Sequence, residues 1–163
     1  MFPEDIDALV RLVLTLARNA GVTLATVESC TGGLVSGALT AIPGSSDVVD
    51  RGFVTYSNAA KTALVGVPEA LIAAHGAVSE AVARAMAEGG VKTAGVGAAV
   101  AVTGVAGPTG GTADKPVGLV HIAAARAGGP TRHREMRFGP RGRQAIRLAS
   151  VRTALELLAE ALS

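Results

Sequence analysis

The feature that most constrains this chain is how little aromatic mass it has. Phe2, Phe53, Tyr56 and Phe138 are its only Phe, Tyr or Trp residues, against 21 glycines. A core must therefore be assembled from Ala, Val, Leu and Ile with backbones in close approach, which suits helices laid on a sheet. Hydrophobic residues make up 49% and charged residues 17% of the sequence, enough apolar mass to offset chain entropy and too little charge for a disordered tail. At 163 residues the expectation is one domain spanning 1–163.

The net charge of +2 excludes little by itself, but its distribution does. Eight of twelve arginines lie between Arg126 and Arg152, with no Lys-rich tract and no Trp, so the sequence lacks the stacking platforms and phosphate track of a nucleic-acid binder. A small anionic ligand is the better expectation. Cys30 is the only cysteine, so no internal disulfide can form. No run approaches the roughly 18 apolar residues of a membrane span, and Met1 to Asp7 is acidic where a signal peptide is basic. A cytoplasmic location is the default expectation.

Periodicity predicts a helix over 4–19, a buried strand over 22–28 and a helix over 31–42 that stops before Pro43. A strand over 52–56 follows, then a helix from about Asn58 with Asn58 as N-cap, a short helix over 68–74 and a helix over 80–92 capped by Ser79. A buried strand over 96–103, a Gly-rich loop over 104–118, strands over 117–125 and 131–138, and a helix over 141–162 complete the chain. Interleaved strands and helices predict a three-layer α/β/α domain with a five-stranded sheet. The join Gly128-Gly129-Pro130 is too short for a parallel crossover, so the sheet should be mixed.

Several segments can carry chemistry. Glu28-Ser29-Cys30-Thr31-Gly32-Gly33 lies where a strand ends and a helix begins, and free amides there can surround an anion or oxyanion; a simple capping role for Ser29 or Thr31 is the alternative. A helix dipole can activate the Cys30 thiol, although most lone cysteines are small buried hydrophobes. Lys61 falls in the first turn of a helix, where positive charge is disfavoured; buried and neutral, it can take a proton from a serine. The alternative is a solvated surface lysine. Thr103 and Gly104 open a Gly-rich loop after a buried strand, where open α/β sheets bind ligands. Arg141 and Arg143 stand where the last helix begins and can hold a phosphate. His75, His121 and His133 are scattered without metal-ligand spacing, so no metal site is expected.

Six blocks carry a resemblance: Ala25 to Gly33, Pro43-Gly44-Ser45-Ser46, Asp50 to Asn58, His75-Gly76-Ala77-Val78-Ser79, Thr103 to Pro108 and Lys115-Pro116-Val117-Gly118. Together and in this order they resemble the C-terminal domain of the competence/damage-inducible protein CinA, a family that includes nicotinamide-nucleotide amidohydrolases. The resemblance implies a mixed five-stranded sheet with one antiparallel strand. It also implies hydrolysis of the carboxamide of nicotinamide mononucleotide to nicotinate mononucleotide and ammonia by a serine/lysine pair, with no cofactor and no metal. The implied site falls on Ser29, Ser46, Tyr56, Lys61, Thr103 and an arginine best matched by Arg143.

Chemically, Ser46 is favoured as nucleophile because it shares a chain segment with Tyr56 and Lys61, and Ser29 then binds the carboxamide; these roles can be exchanged. Lys61 serves as base and acid, and Tyr56 relays a proton or orients the lysine. Cys30, Thr31 and Gly32 line the substrate site, while Thr103, Gly104 and Arg141 or Arg143 meet ribose and phosphate. Gly- and Ala-rich faces and an open site make a homodimer the expected assembly. The rival reading is a nucleotide-binding or regulatory module without chemistry.

Overall fold

The computed structural model describes residues 1–163. Helix α1 (Glu4–Ala20) has Glu4, Asp5 and Asp7 in its first turn, where they complement the dipole, and Gly21 at φ 64° closes it. Strand β1 (Leu24–Glu28) is buried along its whole length. Next come α2 (Leu34–Thr40), a 3₁₀ turn (Ser45–Asp47), β2 (Val49–Val54), α3 (Asn58–Val65), α4 (Glu69–His75), α5 (Glu80–Ala94), β3 (Ala98–Gly104), β4 (Leu119–Arg126), β5 (Arg132–Arg137) and α6 (Arg143–Leu162).

The sheet order is β2-β1-β3-β4-β5. Strand β1 pairs in parallel with β2 and β3, and β4 is antiparallel to both β3 and β5, so one strand of the five runs against the rest. This is the predicted mixed sheet. Its buried strands are apolar on both faces because both are covered. Ile6, Val10 and Leu14 of α1 and Ile146, Leu155 and Leu158 of α6 pack with Leu24, Val100, Val102 and Ile122 on one face. Val82, Met86 and Ala87 of α5 pack with Val27, Ala101 and Ala123 on the other. Small residues permit that second contact: a Cβ at Gly90 would lie 2.6 Å from Val27 Cγ2. No helix is long and apolar enough to cross a membrane.

Four boundaries depart from the periodic pattern. The second helix starts at Leu34, not Thr31, because Gly32 (φ 56°) and Gly33 (φ 99°) are left-handed and cannot belong to it. The N-cap of α3 is Ser57, not Asn58; Ser57 Oγ accepts the Ala60 N–H at 3.0 Å. Strand β2 covers Val49–Val54, not 52–56, and the last helix begins only at Arg143, after Gly142 at φ 97°. Ser79 does cap α5, accepting the Val82 N–H at 3.3 Å.

Candidate active site

Strands β1, β2 and β3 all run the same way, so Ser29, Thr55 and Gly104 emerge together at their carboxyl ends. From β1 the chain moves outward to β2 and later returns to the other side of β1 for β3. A crevice at such a reversal is where open α/β sheets place ligands. Here it is a pocket of about 290 Å³, lined by Ser29, Cys30, Tyr56, Val78, Gly104, Val105, Ala106, Gly107, Thr109, Gly110 and Arg143. The lining offers no carboxylate or imidazole to a metal ion, so its chemistry rests on hydroxyls, amides and cations.

Lys61 is the most unusual residue at this end of the sheet. It is only 1% exposed, and its Nζ donates to the Thr55 carbonyl at 2.9 Å and lies 3.1 Å from Ser29 Oγ. The Ser57 cap starts α3 so that Lys61, one turn later, reaches the residues that follow β1 and β2. Burial holds the Lys61 amine below the usual lysine range. No carboxylate is among its hydrogen-bond partners to offset that shift.

Glu28 precedes Ser29 and was given no role by sequence reasoning. It is 1% exposed, and its carboxylate accepts the N–H groups of Gly33 at 3.1 Å, Val35 at 3.0 Å and Ser36 at 2.9 Å, with the hydroxyls of Ser36 and Thr26 completing the set. The Gly33, Val35 and Ser36 amides are therefore occupied from within, so the set that can meet an anion is narrower than expected and lies earlier in the turn. An acid at a strand end followed at once by a helix was the available signal.

Ser46 does not meet Lys61 within the chain. It is exposed on the 3₁₀ turn before β2, at the opposite end of the sheet from Ser29 and Lys61. The six residues of β2 between them span roughly 20 Å at about 3.3 Å per residue. Closeness in sequence misled because a parallel strand carries its two ends to opposite edges. Ser29, 32 positions from Lys61, is the hydroxyl beside the amine.

The remaining candidates divide. Cys30 lines the pocket, but burial pushes its thiol up to about 12, which disfavours the thiolate a nucleophile needs. Thr31 is fully buried with its hydroxyl unpartnered, and Gly32 is exposed outside the pocket, so neither lines it as expected. Thr103 is also buried; its hydroxyl donates to the Ala77 carbonyl at 2.9 Å, holding the segment that carries Val78 instead of facing a ligand. Gly104 lines the pocket. Tyr56 is 59% exposed and bonds Arg143, not Lys61. Arg143 Nη1 donates to the Gly107 carbonyl at 2.9 Å and Nη2 to the Tyr56 hydroxyl at 2.9 Å, whereas Arg141 is exposed and away from the pocket. Of the two arginines, Arg143 is the one at the site.

Arg147, one helical turn beyond Arg143, was also missed. Its Nε and Nη2 donate to the carbonyls of Cys30 and Thr31, each at 3.1 Å. The i, i+4 spacing from Arg143 was the signal that both share a helix face. His121 and His133 are not scattered either: their rings stack across β4 and β5 with Nδ1 and Nε2 2.9 Å apart, and burial lowers both below the usual imidazole range.

Comparisons with known proteins agree with this architecture. Residues 6–162 match the CinA C-terminal domain family. The chain is 54% identical over 134 residues to a putative competence-damage inducible protein of Symbiobacterium thermophilum, covering 80% of this chain and 32% of that protein. It is 49% identical over 163 residues to a CinA-like protein of Anaeromyxobacter sp. (strain K), covering 99% of this chain and 39% of the relative. The chain thus spans roughly a third to two-fifths of the length of these curated relatives. The crystal structure of the competence/damage inducible protein CihA from Agrobacterium tumefaciens superimposes with a TM-score of 0.98 at 52% identity, covering 100% of this chain and 99% of that one. A CinA superfamily protein from Klebsiella pneumoniae superimposes with a TM-score of 0.90 at 36% identity, covering 96% of this chain and 97% of that one. From the match along nearly the whole sequence and the shared three-layer fold, the chain belongs to the CinA C-terminal domain family.

Proposed function

We propose that this domain hydrolyses the carboxamide of nicotinamide mononucleotide, releasing nicotinate mononucleotide and ammonia, with Ser29 as nucleophile and Lys61 as base. One observation carries the reading: a dehydrated lysine amine with its Nζ 3.1 Å from the Oγ of Ser29, which lines a ligand-sized crevice. An amide is a poor electrophile, so its hydrolysis needs a hydroxyl stripped of its proton and a group that protonates the leaving nitrogen. A neutral lysine does both in turn.

Lys61 Nζ takes the Ser29 Oγ proton as Oγ bonds to the carboxamide carbon and the carbonyl electron pair moves to oxygen. Collapse of this intermediate breaks the C–N bond, and the Lys61 ammonium returns the proton to the departing nitrogen, which leaves as ammonia. Water then attacks the Ser29 ester, again giving a proton to Lys61; collapse breaks the ester C–O bond, Lys61 returns that proton to Oγ, and the carboxylic acid leaves and ionises to carboxylate in water. Throughout, the Thr55 carbonyl accepts one Lys61 N–H and aims the amine at Ser29. Arg143 meets the substrate phosphate, and Gly104 with the Gly-rich loop lets backbone approach the ribose. No metal or cofactor takes part in this scheme. A cytoplasmic homodimer acting on a free nucleotide, with no nucleic-acid or membrane partner, completes the reading.

The test is ammonia release from nicotinamide mononucleotide by wild type and Lys61→Ala. Wild-type turnover with a loss of about a thousandfold or more in the variant is the expected result, from the loss of a nucleophile's base. Equal rates overturn the assignment. Binding of the nucleotide with no ammonia from wild type favours a regulatory module in its place.

A further inference from the structure

A serine that attacks an amide leaves negative charge on the carbonyl oxygen, and donors must await it. The turn after Ser29 limits which donors exist. Ser29 N–H is spent on the Val102 carbonyl at 3.0 Å, and Glu28 takes those of Gly33, Val35 and Ser36. Gly32 N–H donates to the Ser29 carbonyl at 3.0 Å and Leu34 N–H to the Thr31 carbonyl at 3.1 Å. The amides of Cys30 and Thr31 are left without a partner residue, and of these two residues only Cys30 lines the pocket.

Two planar peptides connect the Cys30 amide to Arg147. Every peptide except Gly107-Pro108 is trans, so in each unit the carbonyl and the following N–H point in opposite directions. Arg147 Nη2 holds the Thr31 carbonyl, which turns the Gly32 N–H the other way, onto the Ser29 carbonyl. With the Ser29 carbonyl held, the Cys30 N–H of the same peptide must point opposite to it. Arg147 Nε on the Cys30 carbonyl removes the remaining rotation at Cys30. Arg147 itself lies outside the Ser29 pocket, in a neighbouring hollow with Phe2, Leu34 and Leu148.

We infer that Arg147 is a positioning residue whose grip on the Cys30 and Thr31 carbonyls sets the Cys30 N–H as the oxyanion donor for attack by Ser29. The inference rests on the amidase reading above. The residue after the nucleophile supplies such a donor in other hydrolases, where strand-turn-helix geometry exposes its amide. A guanidinium suits the task because its planar fork reaches two successive carbonyls, which the point charge of a lysine does not.

The experiment compares wild type, Arg147→Ala and Arg147→Lys, each checked for a cooperative thermal transition. It measures kcat and KM for nicotinamide mononucleotide and Kd for nicotinate mononucleotide. Loss of one oriented oxyanion donor costs about a hundredfold to a thousandfold in turnover, so kcat should fall by that order while product Kd stays within about threefold. Guanidinium chloride at tens of millimolar should restore part of the turnover of Arg147→Ala, and Arg147→Lys should recover little. Equal kcat in the variants, or a loss of product affinity as large as the loss of kcat, overturns the inference. If Arg147→Ala does not fold, Arg147→Lys alone decides between these outcomes. Wild-type protein that releases no ammonia defeats the amidase reading itself, a result distinct from active wild type matched by active variants.

Discussion

Arg143 Nη2 donates to the hydroxyl of Tyr56 at 2.9 Å, joining the start of the last helix to a residue 87 positions earlier. Its Nη1 holds the Gly107 carbonyl, so one guanidinium bridges two walls of the pocket at its open mouth. Both of its present acceptors are neutral. An anionic oxygen arriving there would put charge on both partners of these bonds and add the attraction of an ion pair.

Arg143→Ala should therefore raise KM for nicotinamide mononucleotide about tenfold to a hundredfold, the worth of hydrogen bonds to a charged group, with a smaller effect on kcat. Nicotinamide riboside, which lacks the phosphate, should be turned over equally by wild type and variant. Steady-state kinetics on both substrates checks this, and an equal KM penalty on the riboside would remove Arg143 from phosphate recognition.

Activity should depend on Lys61 in the neutral state. Burial depresses its pKa, so kcat/KM should rise with pH through that depressed value and level off well before the ordinary lysine range near 10.5. A pH profile of ammonia release measures the limb. A limb centred at or above 10.5 would mean an amine exposed to water.

The same burial makes stability depend on pH. The unfolded chain holds the Lys61 proton up to about 10.5, whereas the folded chain releases it at the lower, depressed value. Between those values the unfolded state binds more protons, so stability should increase as pH rises across that window and decline as pH falls through it. Lys61→Met should remove this component of the slope. Urea unfolding of both proteins from pH 7 to 10.5 tests it, and parallel curves would contradict a depressed Lys61.

Ser29→Ala should abolish ammonia release by a thousandfold or more, while Ser46→Ala should stay within about twofold of wild type. The contrast follows from position, since Ser46 lies beyond the far end of β2 and Ser29 lies 3.1 Å from the amine. The reverse pattern would return the nucleophile to Ser46.

Glu28→Ala should destabilise by about 3 kcal/mol or more, because three buried amides and two hydroxyls lose a charged acceptor. For a domain this size that corresponds to a fall in Tm of roughly 6–12 °C. Calorimetry reads it directly. A shift under about 2 °C would show that water replaces the carboxylate easily.

Much of this architecture was legible in one dimension. The apolar runs around Leu24 to Glu28 and Ala98 to Thr103, the acids ahead of Ile6 and the short join at Gly129 are local signals, and they specified buried strands, a helix start and a hairpin. Lys61 was legible too, as a cation placed where a helix dipole disfavours one. These readings succeed because propensity, capping and turn chemistry act over a few residues.

What tertiary structure alone decided is which residues meet. Ser46 and Lys61 are 15 positions apart but separated by the length of β2, while Ser29 reaches Lys61 because parallel pairing aligns the carboxyl ends of β1 and β2. Glu28 turned inward to α2, and Arg147 crossed from the last helix to the turn after β1; local signals marked both residues, but none named the partner each would meet. The pairing of distant strand ends and helix faces follows from burying apolar surface across the whole chain, so register and direction, not sequence distance, determine which hydroxyl meets the amine.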